Sequence, residues 1–490
     1  MSRWFLVAAV VALCSLPAVG QISDCSTGTS SANCTVSISS GATISQSITI
    51  EHSYVTLQCT DQSVILTRSS NFTMVVAHGE SPGNSLKGIK IANCTFDGNA
   101  FESPVIDMQN VTNPIVQDNV IVRVSDTTQG QNDRGAVVFR GASGAQVTSN
   151  YIGAVPSWVP LTGDLVIHSN GILARATPDN DFVSAHFSGN AISVTRTQQC
   201  AQNPSSACND GISVAPGVAG RAISDIWVTN NSYIYNAGAG ACVEAGAIGQ
   251  IGSADGIHVD GNFCGLLPSD TLAFGGYSIV LANNVDVSNN VFQACYPGPC
   301  AAVSYSGIEV TLSSTGSING NQVVLAPDST HGQIGIACSW CNHINVSGNR
   351  VDGFGLSPSS VGYLLYLGNG ELAESTITTA SNNVFDSNIS NNHSGATGIN
   401  FWLQCNQSNG GGGTCADNTF TNNTVWAYPP PGQNAIGIKI EGDYGSTTGT
   451  TIQQYGLQSA NPCIYLSGHV SGTNIAPNPN CVILTDGGAN

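Results

Sequence analysis

Three carboxylates stand at matching places in a repeated phrase of this sequence: Asp210 in Asn209-Asp210-Gly211-Ile212, Glu244 in Cys242-Val243-Glu244, and Glu309 in Gly307-Ile308-Glu309-Val310. If each phrase is a short strand and the strands stack in register at about 4.8 Å per layer, Glu244 and Glu309 lie two layers and about 9 to 10 Å apart on one outward face. Asp210 falls one layer before Glu244, nearer the start of its strand. Two carboxyls about 6.5–9.5 Å apart leave room for a water beside a scissile sugar bond, the spacing of inverting glycoside hydrolysis. One would stay protonated as general acid, its pKa raised by its neighbours, while the other activates the water. The plainer reading of the same residues is a row of solvated carboxylates on an acidic surface.

Basic residues suggest a second chemistry. Arg140 and Arg175 close successive phrases, GAVVFR and GILAR, and His168 precedes the second of them. A stripe of guanidiniums neutralises a uronate carboxylate while a base takes the proton beside it, as a lyase or epimerase requires. Aromatic rings suggest a third reading, without catalysis. Tyr363, Tyr366, Phe401, Trp402 and Tyr465 lie on late phrases, and rings exposed on such a face stack on sugars. Trp402 is the one taken here as a binding residue.

The elements that must position these groups are written many times over. The phrase NDGISVAPGVAGRAISDIWVTNN recurs as GILARA…FSGNAISV, SGIEV…SINGNQVVL and IGIACSWCNHINVSGNRV. A self-similar unit of roughly 30 to 40 residues marks a solenoid. Each unit reads as a first strand, a turn, and a second strand ending in an Asn-Asn or Gly-Asn corner. The corner asparagines are Asn99, Asn119, Asn150, Asn190, Asn231, Asn262, Asn290, Asn321, Asn349, Asn383 and Asn423, and stacked coils would align their amides as a hydrogen-bonded ladder. Aligning first strands on their inward Ile or Val puts Asp107, Leu173, Ser213, Glu244, Val280, Glu309, Ala337, Asn400, Lys439 and Tyr465 in one outward column.

Composition agrees. Only 9% of residues are charged, 56 are glycine, and amphipathic helical periods are absent, so the expectation is an all-β, single-domain right-handed parallel β-helix of about twelve or thirteen coils. Residues 1–20 read as a signal peptide, 21–62 as an N-terminal cap, 63–485 as the β-helix and 486–490 as a tail. Beyond Cys14, sixteen cysteines fall into neighbours: Cys25/Cys34, Cys59/Cys94, Cys200/Cys208, Cys242/Cys264, Cys295/Cys300, Cys338/Cys341, Cys405/Cys415 and Cys463/Cys481. An even count at local spacing reads as disulfides of an oxidising compartment, with zinc the alternative for Cys338 and Cys341. The expected location is secreted: extracellular, or periplasmic or cell-surface in a bacterium.

The formal net charge of −18 excludes nucleic acid as a natural partner, although eight of the twelve basic residues lie between positions 68 and 196. No stretch after the leader is long enough to span a membrane. No motif calls for a cofactor or metal. A monomer meeting a polysaccharide is the expectation.

Two-strand coils with asparagine corners behind a signal peptide resemble the right-handed parallel β-helix proteins of the pectin lyase-like superfamily, over roughly residues 40 to 480. Asn209-Asp210-Gly211-Ile212 is similar to the Asn-Thr-Asp-Gly-Ile stretch of polygalacturonase-type hydrolases. Gly240-Ala241-Cys242-Val243 falls where that family has Asp-Asp-Cys-Ile, and Phe274-Gly275-Gly276-Tyr277-Ser278-Ile279 where it has Gly-His-Gly-hydrophobic-Ser-Ile. The resemblance therefore carries Asp210 over as an acid. The paired aspartates are replaced by Gly240 and Ala241, the histidine by Gly275, and the later Arg-Ile-Lys is reduced to Ile438-Lys439. It implies a carbohydrate-active scaffold whose catalytic set differs from the family's.

Overall fold

Each coil bends where one residue takes a positive φ, and the sequence supplies Asn, Asp, Ser or Gly there because these tolerate the left-handed region best. The Asn-Asn and Gly-Asn corners divide this labour. Their first residue turns the chain: Asp118, Ser149, Gly189, Asn230, Gly261, Asn289, Gly320 and Gly348 all have φ between 52° and 65°. Their second residue points its amide inward.

The computed structural model describes most of residues 29–486, leaving out 1–28 and a series of segments that includes 126–133, 196–208, 267–274, 295–304, 326–332, 353–360 and 369–378. It is an all-β right-handed parallel β-helix, the architecture of pectin lyase-like proteins. A coil has three strands, as in Ala241–Gly246, Ser253–Asp260 and Phe263–Leu266. These pair in parallel with Gly275–Val280, Ala282–Ser288 and Val291–Gln293 of the next coil. The sequence suggested two strands per coil. Its second strand is in fact two, because the corner bends the chain without interrupting the run of apolar residues. The strands after the corners form a 14-stranded sheet of their own. The ladders reach back to Cys34–Ile38, paired with Val55–Cys59, within the stretch expected to be a cap.

Each first strand buries one residue in a continuous column: Val243, Tyr277, Ile308 and Ile336, then Phe401, Ile438 and Ile464. The coils crowd here. A Cβ on Gly276 would lie 2.3 Å from the Phe292 ring and 2.4 Å from the Gly307 carbonyl oxygen, so only glycine lets the strand approach its neighbours.

The asparagine ladder runs unbroken from Asn119 through Asn150, Asn190, Asn231, Asn262, Asn290 and Asn321 to Asn349, each amide at most 1% exposed. From Asn119 to Asn321 each Nδ2 donates to the next coil's Oδ1 at 2.8–3.1 Å. Backbone N–H groups of the same residues share those oxygens. Asn99 is not a rung. It is exposed, has φ 49° and donates to the Arg68 carbonyl, while Cys94 holds the first ladder place and donates its N–H to Asn119. Asn383 lies outside the described residues, and Asn423 is fully buried.

Disulfides join Cys59 to Cys94, Cys242 to Cys264, Cys338 to Cys341 and Cys463 to Cys481. Cys34 and Cys415 are disulfide-bonded as well, and the remaining expected pairs lie outside the described residues. The Cys338–Cys341 bond removes the zinc alternative for that pair. Among the described residues no helix is long and apolar enough to cross a membrane.

Candidate functional site

The register column of the first sheet that contains Glu244 runs Asp107, Val138, Leu173, Ser213, Glu244, Ser278, Glu309, Ala337, Leu364, Trp402, Lys439 and Tyr465. Two places differ from the sequence alignment, which had Val280 for Ser278 and Asn400 for Trp402. The cause is the same in both: the inward residue of the strand is aromatic, Tyr277 and Phe401, and aligning on the aliphatic Ile279 and Ile399 slips the strand by two. Glu244 and Glu309 keep their expected relation, one column and two rungs apart with Ser278 between.

Asp210 does not stand in that column. It sits at the corner before Ile212–Ala215, 8% exposed, and is wired into its neighbours as an asparagine would be. Its N–H donates to Asn170 Oδ1 at 2.6 Å, and its own Oδ1 accepts the Ala241 N–H at 2.9 Å. Asn170 fills the same position one coil earlier and donates its Nδ2 to the Arg134 carbonyl at 2.7 Å. The likeness of Asn170-Gly171-Ile172 to Asp210-Gly211-Ile212 is the sequence signal for this short second ladder. A carboxylate has no such donor. Asp210 instead accepts hydrogen bonds from Glu244 and Ser213.

Ser213 is beside Glu244 in the sheet and takes a hydrogen bond from Arg175 Nη2 at 3.1 Å. A relay results, from the Arg175 guanidinium to the Ser213 hydroxyl to the Asp210 carboxylate, with Glu244 donating from the other side. Burial is the main force raising both acids. For Asp210 it is opposed by these donors and by Arg175, whereas the Asp210 charge and the hydrogen bond given to it push Glu244 further up, well above the ordinary carboxylate range. Glu244 keeps part of its surface in solvent although dense protein surrounds its carboxyl. Across the pair Glu244 is the donor and Asp210 the acceptor. Glu309 is half-buried and accepts the Thr311 hydroxyl at 3.2 Å.

The other expected residues are placed as follows. Arg140 meets both Asp107 oxygens at 2.7 Å, with His78 3.4 Å from the same carboxylate. His168 lies 3.4 Å from Asp164 at the surface, before the strand Asn170–Arg175. Arg175 alone of the basic group reaches the carboxyl pair. Trp402 packs against the buried Ala337 and Val361 and donates Nε1 to Glu441 at 3.1 Å, with the Lys439 ammonium 4.6 Å over its ring and 2.5 Å from Glu441. On the second sheet, His186, Trp227 and His258 stack at 6.0 and 3.9 Å and cover one another's faces. Among the described residues, no group of three or more His, Cys, Asp or Glu is arranged to hold a metal ion. Sequence reasoning missed Asn170, Ser213 as a relay, and Ser278 between the two glutamates.

Fold and site together define a parallel β-helix with a hydrogen-bonded carboxyl pair between a corner and its first sheet. The tailspike protein of E. coli bacteriophage HK620 is similar in structure, with 13% identity and a TM-score of 0.46 over 93% of this chain and 72% of that one. That tailspike has also been solved with a hexasaccharide. Tailspike protein 3 of bacteriophage CBA120 gives 11% and 0.43, and this chain, 94% covered, spans 57% of its length. The catalytic unit of the GH87 alpha-1,3-glucanase from Streptomyces thermodiastaticus gives 11% and 0.35 over 93% of this chain and 62% of that one. No family model matches the sequence, and no curated protein does. Likenesses this distant bear on neither activity nor ligand.

Proposed function

We propose that this is an exported carbohydrate-active protein that meets an extended polysaccharide along the first-sheet face and hydrolyses it with inversion. Glu244 is the general acid and Glu309 the base that activates water. The observation carrying this reading is the position of Glu244, hydrogen-bonded to Asp210 and in the same column as Glu309 two rungs away, where burial and the Asp210 charge push its pKa up. At about 4.8 Å per rung the two backbones are about 9.6 Å apart, next to the inverting range of about 6.5–9.5 Å. Asp210 and Glu244, being hydrogen-bonded, leave no room for water between them and work as one unit. Arg175 steadies the negative charge left on that unit when the proton departs.

A lyase or epimerase reading gains less support. Arg140 is already matched by Asp107 and Arg175 faces the carboxyl pair, so the basic stripe is not aimed at a uronate. Screening the purified protein on neutral, pectic and alginate polysaccharides tests this, reading reducing ends and absorbance from unsaturated products. Hydrolysis should appear, and Glu244→Gln or Glu309→Gln should lower it by about 10²–10⁴-fold with the Tm nearly unchanged. Unsaturated products would move the reading to a lyase, and binding without products to a non-catalytic protein.

A further inference from the structure

The corner that leads out of the first sheet holds a cavity of about 240 Å³. Its floor is Ala254, Leu281 and Leu312, and its rim is Asn283, Ser314 and Asn342, which follow one another in register on successive coils. No charged side chain lines it.

Leu281 and Leu312 have φ of 49° and 54° at a corner where earlier coils place Asn110 and Gly141 with φ 53° and 56°, and the next coil places Trp340 there with φ 52°. A bulky residue in the left-handed region costs about 1–2 kcal/mol, and such strain gathers where a surface is put to use. Leu312 is 5% exposed and Leu281 half-buried, so together they make a ledge rather than a protruding tip.

We propose that this corner is a binding subsite for a neutral oligosaccharide, separate from the acid column. A pyranose ring has an apolar C–H face for the leucine ledge and hydroxyl edges for the amides and the serine hydroxyl, and the uncharged lining suits a sugar without carboxylates. The rim groups repeat with the coils, about 4.8 Å apart, so successive sugar units meet the same wall. A peptide would seek backbone partners, yet here these are spent: the Leu281 and Leu312 N–H groups go to Thr311 and Ser339, and the Ala282 N–H goes to the Ser313 hydroxyl. Ser314 already donates to Asn283, which fixes the rim before any ligand arrives. The leucines lie three residues beyond Ser278 and Glu309, just past the ends of Gly275–Val280 and Tyr305–Thr311 and about 10 Å away at strand rise, so the subsite does not depend on the acid and base roles given above.

The test is saturation-transfer NMR and calorimetry with cellotriose, maltotriose and laminaritriose, using trigalacturonate and an uncharged tripeptide as controls. At least one neutral trisaccharide should bind, and Asn283→Ala and Asn342→Ala should each weaken it at least tenfold at unchanged Tm. Glu309→Gln should bind it as the wild type does. The proposal falls if no neutral trisaccharide binds, if trigalacturonate or the peptide binds equally well, or if both asparagine variants bind normally. Loss of binding in Glu309→Gln would also overturn it, by moving the ligand to the acid column and leaving the hydrolase reading intact.

Discussion

The long asparagine ladder and the short run Asn170–Asp210–Ala241 solve one problem in two ways. Both stack a buried polar side chain on a neighbouring coil's backbone, the long ladder's oxygens accepting an N–H from the coil before and those of Asn170 and Asp210 one from the coil after. An amide also donates, so Asn231 closes its bonds with Phe187 and Asn262 and needs nothing further. A carboxylate cannot donate, so Asp210 accepts from Glu244 and Ser213 instead, and the run ends at Ala241, whose methyl group offers nothing to the next coil. The contrast separates stability from chemistry: an amide in this setting is inert, and an acid there brings a neighbour's proton under its control.

Exchanging the two solutions probes this contrast. The largest effect on stability should come from Asn231→Asp. The new carboxylate would face the Phe187 carbonyl and the Asn262 amide oxygen without a donor for either, at a cost of about 3 kcal/mol or more, read by chemical denaturation. The reverse exchange should be milder in stability and severe in function. Asp210→Asn supplies the donor that Asn170 uses, aimed at the corresponding Ser169 carbonyl, and should stabilise by about 1 kcal/mol while abolishing hydrolysis. A fall in Tm for Asp210→Asn would break the comparison.

The smallest effect is a slope. Asp210 and Glu244 bind protons more tightly in the folded chain than in the unfolded one. Between the ordinary carboxylate range and the raised pKa of Glu244 the folded state therefore holds more protons, and stability falls as pH rises through that window. A Tm series from pH 4 upward should show this decline, and Glu244→Gln should flatten it. Activity should fail on the same alkaline side as Glu244 loses its proton.

The fold was legible because every coil solves the same corner with the same few residues, and the repetition survives wherever Asn or Gly does the turning. It blurred where another residue took the place. Cys94 stands where an asparagine would mark the first rung, which shifted the reading to Asn99, and Tyr277 and Phe401 stand where an aliphatic residue marks the inward position. Glu244 and Glu309 could be placed together because the strand between them keeps the same count. The bond between Asp210 and Glu244 could not, because Asp210 belongs to a corner whose geometry no alternation of strand residues records. The pairing of Arg140 with Asp107 was hidden for a related reason. The two acids and bases look alike along the chain, and only the register of adjacent coils decides which of them meet.

The ladder also bears on how long the molecule lasts. Asparagine is among the residues that heat spoils first, and its decay to aspartate is the Asn231→Asp substitution made by chemistry instead of mutagenesis. Eight of these amides lie at most 1% exposed, from Asn119 to Asn349, with their oxygens and nitrogens already engaged. The fold rests on a perishable side chain and keeps it where water does not reach, so the bonds that fasten the coils also slow their ageing.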